Sequence, residues 1–312
     1  MSTDYDAHVG RYANILLDYW FKRTFGTEAR KRLLQLFLQE VIPERQIKDL
    51  TYAPQEHVNP FPGRKDIRVD VECTDQTGAR FVVEMQLAGQ DAFYDRAVYN
   101  ASFAVQEQMS KGVGSYRVPP VYFIGIMDFS FHKGSDRVRY EYRLTERSSG
   151  ELMTECVQFI FLELPNCRKA LTPEATILDN FCYALHNMPS LPDRPAELES
   201  EIFRLLFESA EIATFAPKEK VKYENDMTTE RDIRNQIAYA RQEGRAEGRE
   251  EGQQDGLKKG LAKGREEGLQ EGRAEGETSK AEQVALAMRV AGEPAEKIAL
   301  YPGLTIEQIQ AL

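Results

Sequence analysis

The chain has no run of about 18 apolar residues, so nothing in it is expected to span a membrane. Its first 20 residues lack a basic region followed by an apolar core, so no signal peptide is expected and the chain is read as cytoplasmic. Cys73, Cys156, Cys167 and Cys182 form no CxxC pair and no metal-ligand spacing. Scattered in this way, they read as reduced core thiols, which excludes a disulfide scaffold and a thiolate metal site. There is no excess of positive charge either. The formal net charge is −10, which argues against a protein coated in basic surface and against tight non-specific binding through many phosphate contacts. Residues 231–280 hold 11 basic and 11 acidic side chains, so the acidity lies in the body of the chain. A cleft in that body can still be locally positive, and site carboxylates add to the acidic count. What remains is 312 residues, 42% hydrophobic, enough for one sizeable domain with appendages.

The stretch that organises the chain is Asp66 to Leu87. Ile67, Val69, Val71 and Cys73 alternate with Arg68, Asp70 and Glu72; Phe81, Val83, Met85 and Leu87 alternate with Val82, Glu84 and Gln86. Period-two alternation predicts two strands, each with one buried face. Asp75-Gln76-Thr77-Gly78 supplies a turn, with Gly78 suited to a left-handed position. If Gln76, Thr77 and Gly78 form a three-residue loop, Asp75 faces Ala79 and Asp70 falls opposite Glu84. Carboxylates opposite one another on a sheet lie about 5 Å apart at Cβ and repel. A divalent cation between them removes the repulsion, and Mg²⁺, which takes one or two carboxylates and keeps its waters, suits the pair. A solvated outer face would carry the same charges. Asp66 shares the parity of Asp70 and is the rival ligand; Asp70 is preferred as the mid-strand position. Arg64, Lys65 and Arg68 lie beside the acids, for phosphate binding or for charge balance.

An aspartate in one strand, a tight turn and Glu84-Met85-Gln86 in the next resemble the core of PD-(D/E)XK nucleases. With Gln86 where the final Lys would stand, the chain resembles the Rpn family of recombination-promoting nucleases, often labelled transposases. The resemblance covers about residues 10–165 and includes Asp18-Tyr19-Trp20-Phe21-Lys22-Arg23-Thr24-Phe25-Gly26 and a helix carrying Arg96 and Tyr99. It implies an α/β fold: a restriction-endonuclease-like core with a mixed central sheet flanked by helices, followed by a helical C-terminal extension. It further implies DNA as partner and Mg²⁺, or Mn²⁺, as cofactor. The implied ligands are Asp70, Glu84 and the Met85 carbonyl, with Asp18 as a third acid if it is not simply paired with Lys22 at i+4. Asp70, Glu84 and Gln86 are the implied catalytic set, and Arg96 and Tyr99 would face the cleft.

In chain order, 11–25 reads as a helix ending near Gly26 and 30–41 as a second, ended by Pro43. A less regular strand is expected in 47–58, a helix over 91–111, a buried strand over 121–127 and a strand pair over 138–144 and 152–164. Residues 173–213 read as helical, broken by Pro189, Pro192 and Pro195. From Gly244 to Gly276 a glycine recurs every fourth residue, nine in all. Each costs a helix about 1 kcal/mol relative to Ala, so a flexible, partly helical linker is expected, with a self-association element as the sharper reading. Residues 279–312 regain apolar character as two short helices. The expected segments are therefore a core at 1–165, a helical extension at 166–230, the repeat linker at 231–280 and a short helical end at 281–312. The favoured function is a metal-dependent DNA endonuclease. A nuclease fold that binds DNA or a protein without cutting, and an assembly protein that oligomerises through its tail, are the alternatives.

Overall fold

The computed structural model of the chain describes residues 10–57, 67–89, 92–109, 117–300 and 303–312. Two compact units divide at Met227 and Thr228. In the first, strands β1 (Leu50–Tyr52), β4 (Val71–Asp75), β5 (Arg80–Gln86), β6 (Val121–Met127), β7 (Arg139–Arg143) and β8 (Val157–Glu163) form a mixed sheet in the order β1-β4-β5-β6-β8-β7. β4 and β5 are antiparallel, β5, β6 and β8 are parallel, and β7 closes the edge antiparallel to β8. Helices cover both faces, the α/β architecture that the sequence implied.

The β4–β5 hairpin has the expected register. Val71 faces Val83 and Thr74 faces Arg80, while the Asp75 amide donates to the Ala79 carbonyl at 2.9 Å. The ladder ends at Val71–Val83, so Asp70 and Glu84 lie one position beyond it. Gly78 takes φ +82°, and the Asp75 carboxylate accepts from the amides of Thr77 and Ala79 at 2.8 and 3.0 Å, locking the turn.

Two expectations about this hairpin fail. Its outer face is not solvated: Val82 joins a core built from Phe93, Ala97, Ala101 and Ala104 of α3 (Phe93–Glu107), and Glu72 is buried beside Arg80 at 3.1 Å. Nor is Asp70 mid-strand. The chain from Ile67 divides into β3 (Ile67–Arg68), which pairs with β2 (Glu56–His57), and β4, with a bend at Asp70 between them. The Val69 amide donates to the Gln55 carbonyl, so the first half of the predicted strand leaves the main sheet for a two-stranded ribbon. Alternation registers which face a side chain occupies, but not whether a helix covers that face or whether a strand changes partner.

The first helix also begins later than its apolar pattern suggests. Residues 11–17 are not helical. Ala13 and Arg11 exchange backbone hydrogen bonds with the end of α5 (Glu201–Ala210), and α1 is Asp18–Phe25. α2 (Lys31–Val41), α4 (Ile177–Asn187) and α5 pack with α1 into one core, where Phe37 stacks on Phe181. Between α3 and the sheet, Gly125 of β6 is required. A Cβ there would lie 2.7 Å from the Phe161 ring and 3.3 Å from Phe93.

α6 (Pro217–Val290) starts in the first unit, where Tyr223 and Met227 pack near Trp20. The second unit carries the glycine repeat as continuous helix rather than a partly helical linker. The residues between the glycines are mostly Glu, Arg, Lys, Ala, Gln and Leu, all strong helix formers. Ion pairs one turn apart, Lys259–Asp255 at 3.1 Å among them, add a few tenths of a kcal/mol each. A Cβ at any of the nine glycines would meet nothing within 4 Å. At the end of this unit α7 (Ala295–Ala299) and α8 (Ile306–Ala311) fold back so that Ile298 and Ile309 bury Ala285. Among the described residues no helix is long and apolar enough to cross a membrane.

Candidate metal and nucleic-acid site

The acids meet where β4 begins and β5 ends. Glu84 lies on β5 under α3 and is 7% exposed. The Asn100 side chain of α3 donates to Glu84 Oε1 at 3.3 Å. Across the hairpin, Asp70 Oδ2 accepts from the Met85 amide at 2.8 Å, so the acid at the bend is held to the strand that carries Glu84. Lys22 of α1 reaches both acids on its side, Asp18 Oδ1 at 2.7 Å and Asp70 Oδ1 at 3.5 Å.

The electrostatics follow from this placement. Burial, and then the neighbouring Asp70 charge, push the Glu84 carboxyl up to about 8; Arg96 and Lys22 pull the other way. Burial also raises Asp70, against the Met85 amide and Lys22, which favour its charge. Buried together, the two acids are costly to ionise at once, and Lys22 and Arg96 offset only part of that cost.

This bears directly on stability. Between the ordinary glutamate value and about 8, the folded chain keeps a proton on Glu84 that the unfolded chain has released. Folding stability contributed by this group therefore falls as pH rises through that window, and the whole penalty is present above it. In EDTA, Glu84→Gln is expected to stabilise the protein at about pH 9 by several kcal/mol and to leave it unchanged near pH 4, each pKa unit being worth about 1.4 kcal/mol. Thermal unfolding of both proteins at the two pH values measures this. An equal difference at both would show that Glu84 is not held protonated.

The remaining predicted residues divide. Asp18 is the first residue of α1. Its side chain is 72% exposed and paired with Lys22, yet it is near enough to raise both Asp70 and Glu84. Gln86 ends β5 half-buried, its carbonyl accepting from the amide of Asp128, whose carboxylate takes the His186 ring. Arg96 acts on Glu84, and its guanidinium lies 5.7 Å from the Phe93 ring. Tyr99 is exposed on α3. Arg68 is on the β2–β3 ribbon, paired with Glu56 at 3.2 Å. Arg64, Lys65 and Asp66 lie outside the described residues.

Reasoning from the sequence missed two neighbours of the acids. Spacing pairs Lys22 with Asp18 alone, at i+4, and gives Asn100 no role. A polar residue in the otherwise small and apolar stripe Ala97, Ala101, Ala104 was the available signal for Asn100. Among the described residues no group of three or more His, Cys, Asp or Glu is placed to hold a metal ion. The pair Asp70 and Glu84 is what the site offers.

A family described as PD-(D/E)XK nuclease family transposase matches residues 15–240. The match extends well past residue 165, through α4 and α5 and into α6. No curated protein and no solved structure matches the chain.

Proposed function

Because the chain belongs to the PD-(D/E)XK nuclease family transposases, we propose that it is a DNA endonuclease that hydrolyses phosphodiester bonds at the Asp70–Glu84 site with a divalent cation. The observation that supports this most directly is the buried Glu84 carboxyl, pushed up to about 8, beside an Asp70 held to the neighbouring Met85 amide. A hard divalent cation fits that donor set. Mg²⁺ needs one or two carboxylates and fills its other positions with water and substrate oxygens, so the absence of a group of three acids among the described residues is no obstacle. Mn²⁺ accepts the same ligands.

In this reading Asp70, Glu84 and the Met85 carbonyl hold the cation. When bound, it supplies positive charge against the scissile phosphate and makes a water more acidic. The chain's own residues do the rest. Met85 fixes Asp70 through its amide, and Asn100 fixes Glu84 through its side chain. Gln86, one pleat beyond Glu84, has no charge and no proton to give, so its part is to orient water or phosphate by hydrogen bonds. Lys22 and Arg96 keep the acid pair from standing alone before the cation arrives. Arg64, Lys65 and Arg68, with Arg96 and Tyr99, are the proposed DNA contacts.

A plasmid digest with Mg²⁺, Mn²⁺, Ca²⁺ or EDTA, run on wild type and Asp70→Ala, tests the proposal. Nicking is expected with Mg²⁺ and Mn²⁺ and not with EDTA or with Asp70→Ala. Cleavage that persists in EDTA would overturn it.

The second unit is proposed to serve assembly rather than chemistry. Its nine glycines answer no contact within the chain, and a helix that has exchanged helix propensity for small size admits a second backbone close by. Removing everything after about residue 230 is expected to leave cleavage per protomer within roughly tenfold, ~1.4 kcal/mol in barrier, while lowering the oligomeric state. Sedimentation and nicking rates of the shortened chain measure the two effects. A folded, monomeric truncation with no activity would tie the tail to chemistry.

A further inference from the structure

α3 packs chiefly on β5, β6 and β8 and meets β7, the edge strand, through Tyr94, whose ring lies 5.9 Å from that of Tyr142. On β7, Tyr140 and Tyr142 stand opposite Phe161 and Phe159 and so share the face on which α3 lies. Three rings gather at the boundary: Tyr94 from the first turn of α3, Phe131 from the loop after β6 and Tyr142. Their centroids are 4.9 Å apart for Tyr94–Phe131 and 5.9 Å for Tyr94–Tyr142. The rings are 38%, 45% and 41% exposed for Tyr94, Phe131 and Tyr142, although Phe93 and Phe161 beneath them are buried. A second layer adjoins them. His132 stacks on Tyr140 at 3.9 Å, and the Arg137 guanidinium lies 5.0 Å from the same ring.

Arg137, over Tyr140, is the cation set against a ring of this face. Arg139 and Arg143 alternate to the opposite face of β7, where Arg139 donates to the Val41 carbonyl and pairs with Glu141, and Arg143 pairs with Glu141 and Glu44. Exposed rings with an arginine beside them take bases by their faces and phosphate by charge. In a duplex the base faces are already stacked on one another. An unpaired strand exposes them. The position also suits a nuclease cleft, because the helix that presents Tyr94 carries Arg96 and Asn100, the two groups that act on Glu84.

We propose that Tyr94, Phe131 and Tyr142 form a stacking platform for an unpaired DNA strand, which makes single-stranded or frayed DNA the substrate class of this nuclease. The proposal deepens the endonuclease reading and rests on it for the word substrate, but the binding itself needs neither metal nor cleavage.

The test is fluorescence anisotropy on the full chain in EDTA at about 50 mM salt, with oligothymidylate of about 20 nucleotides, a duplex of the same length and the matching oligouridylate. Wild type is expected to bind oligothymidylate several-fold more tightly than the duplex. Phe131→Leu with Tyr142→Leu keeps the apolar cover over Phe161 but removes two π faces. It is expected to weaken oligothymidylate binding roughly 10- to 100-fold and duplex binding less than about twofold. Phe131→Trp, which keeps a ring, is expected to bind at least as well as wild type. Circular dichroism of the leucine pair shows whether it has folded. If it does not fold, Tyr142→Leu alone takes its place with a smaller expected loss. Wild-type affinity for the single strand in the leucine variant would overturn the proposal. So would a wild-type preference for duplex or for oligouridylate. A change confined to sedimentation would mean that the rings pack against a second copy. Nicking in Mg²⁺ separates the two readings. A wild type that cuts while the leucine pair binds normally loses the platform alone. A wild type that never cuts, yet binds oligothymidylate through these rings, loses the nuclease alone.

Discussion

Asp70→Ala and Glu84→Ala are each expected to abolish plasmid nicking while leaving the fold intact. Either change removes one of two carboxylates that must act together on one cation, so the remaining acid has no useful affinity by itself. The losses should therefore not add, and the double variant should be no worse than either single one. Folding is spared for a specific reason. Burial raises both acids, Asp18 adds to each and Asp70 adds to Glu84, so losing one relieves the site of like charge. Lys22 keeps Asp18 when Asp70 is gone. Asn100 loses one long hydrogen bond when Glu84 is gone, a matter of about 1 kcal/mol. Initial nicking rates with circular dichroism on the three variants decide the matter. A single variant with full activity, or a double variant markedly slower than both, would separate the two residues and end the shared-site reading.

Gln86→Ala is expected to lose about 10²-fold or more in nicking rate, the scale of removing one positioned transition-state donor. Gln86→Lys is expected to retain activity. The geometry behind both is that Gln86 follows Glu84 by one pleat on the same face of β5, at the strand's carboxyl end. Its main chain is tied to Asp128, so substitution should not move the strand. A lysine has similar reach and brings a charge that the two acids can accommodate, although Lys22 and a bound cation repel it. Rates at fixed Mg²⁺ for the three proteins measure the effect. Should the alanine variant cut as fast as wild type while Asp70→Ala is dead, Gln86 has no part in the reaction.

Much of the fold was legible in residue spacing. The β6 strand spans the predicted Val121–Met127, α3 buries Phe93, Ala97, Ala101 and Ala104 as its period requires, and the Asp75–Gly78 turn sets the hairpin register. These are local consequences of alternation, helical period and turn chemistry, and each depends on a handful of adjacent residues. The same local logic fixes each pair of the ladder from Thr74–Arg80 to Val71–Val83.

What the residues near one another in sequence could not carry is what lies across space. Residues 11–17 have a helix's apolar content but bond to α5, nearly 200 positions on. β3 leaves its own strand for β2, and the bend this makes is where Asp70 sits. Lys22 and Asn100 come to the acids from two different helices, and the rings of Tyr94, Phe131 and Tyr142 from three separate segments. By itself the sequence determined the family, the α/β class and the register of the hairpin between β4 and β5. The tertiary structure alone decided how deeply Glu84 is buried, and so that its carboxyl rises to about 8. Desolvation depends on what packs above a side chain, and on Glu84 that cover is α3, whose contacts no spacing within the hairpin encodes.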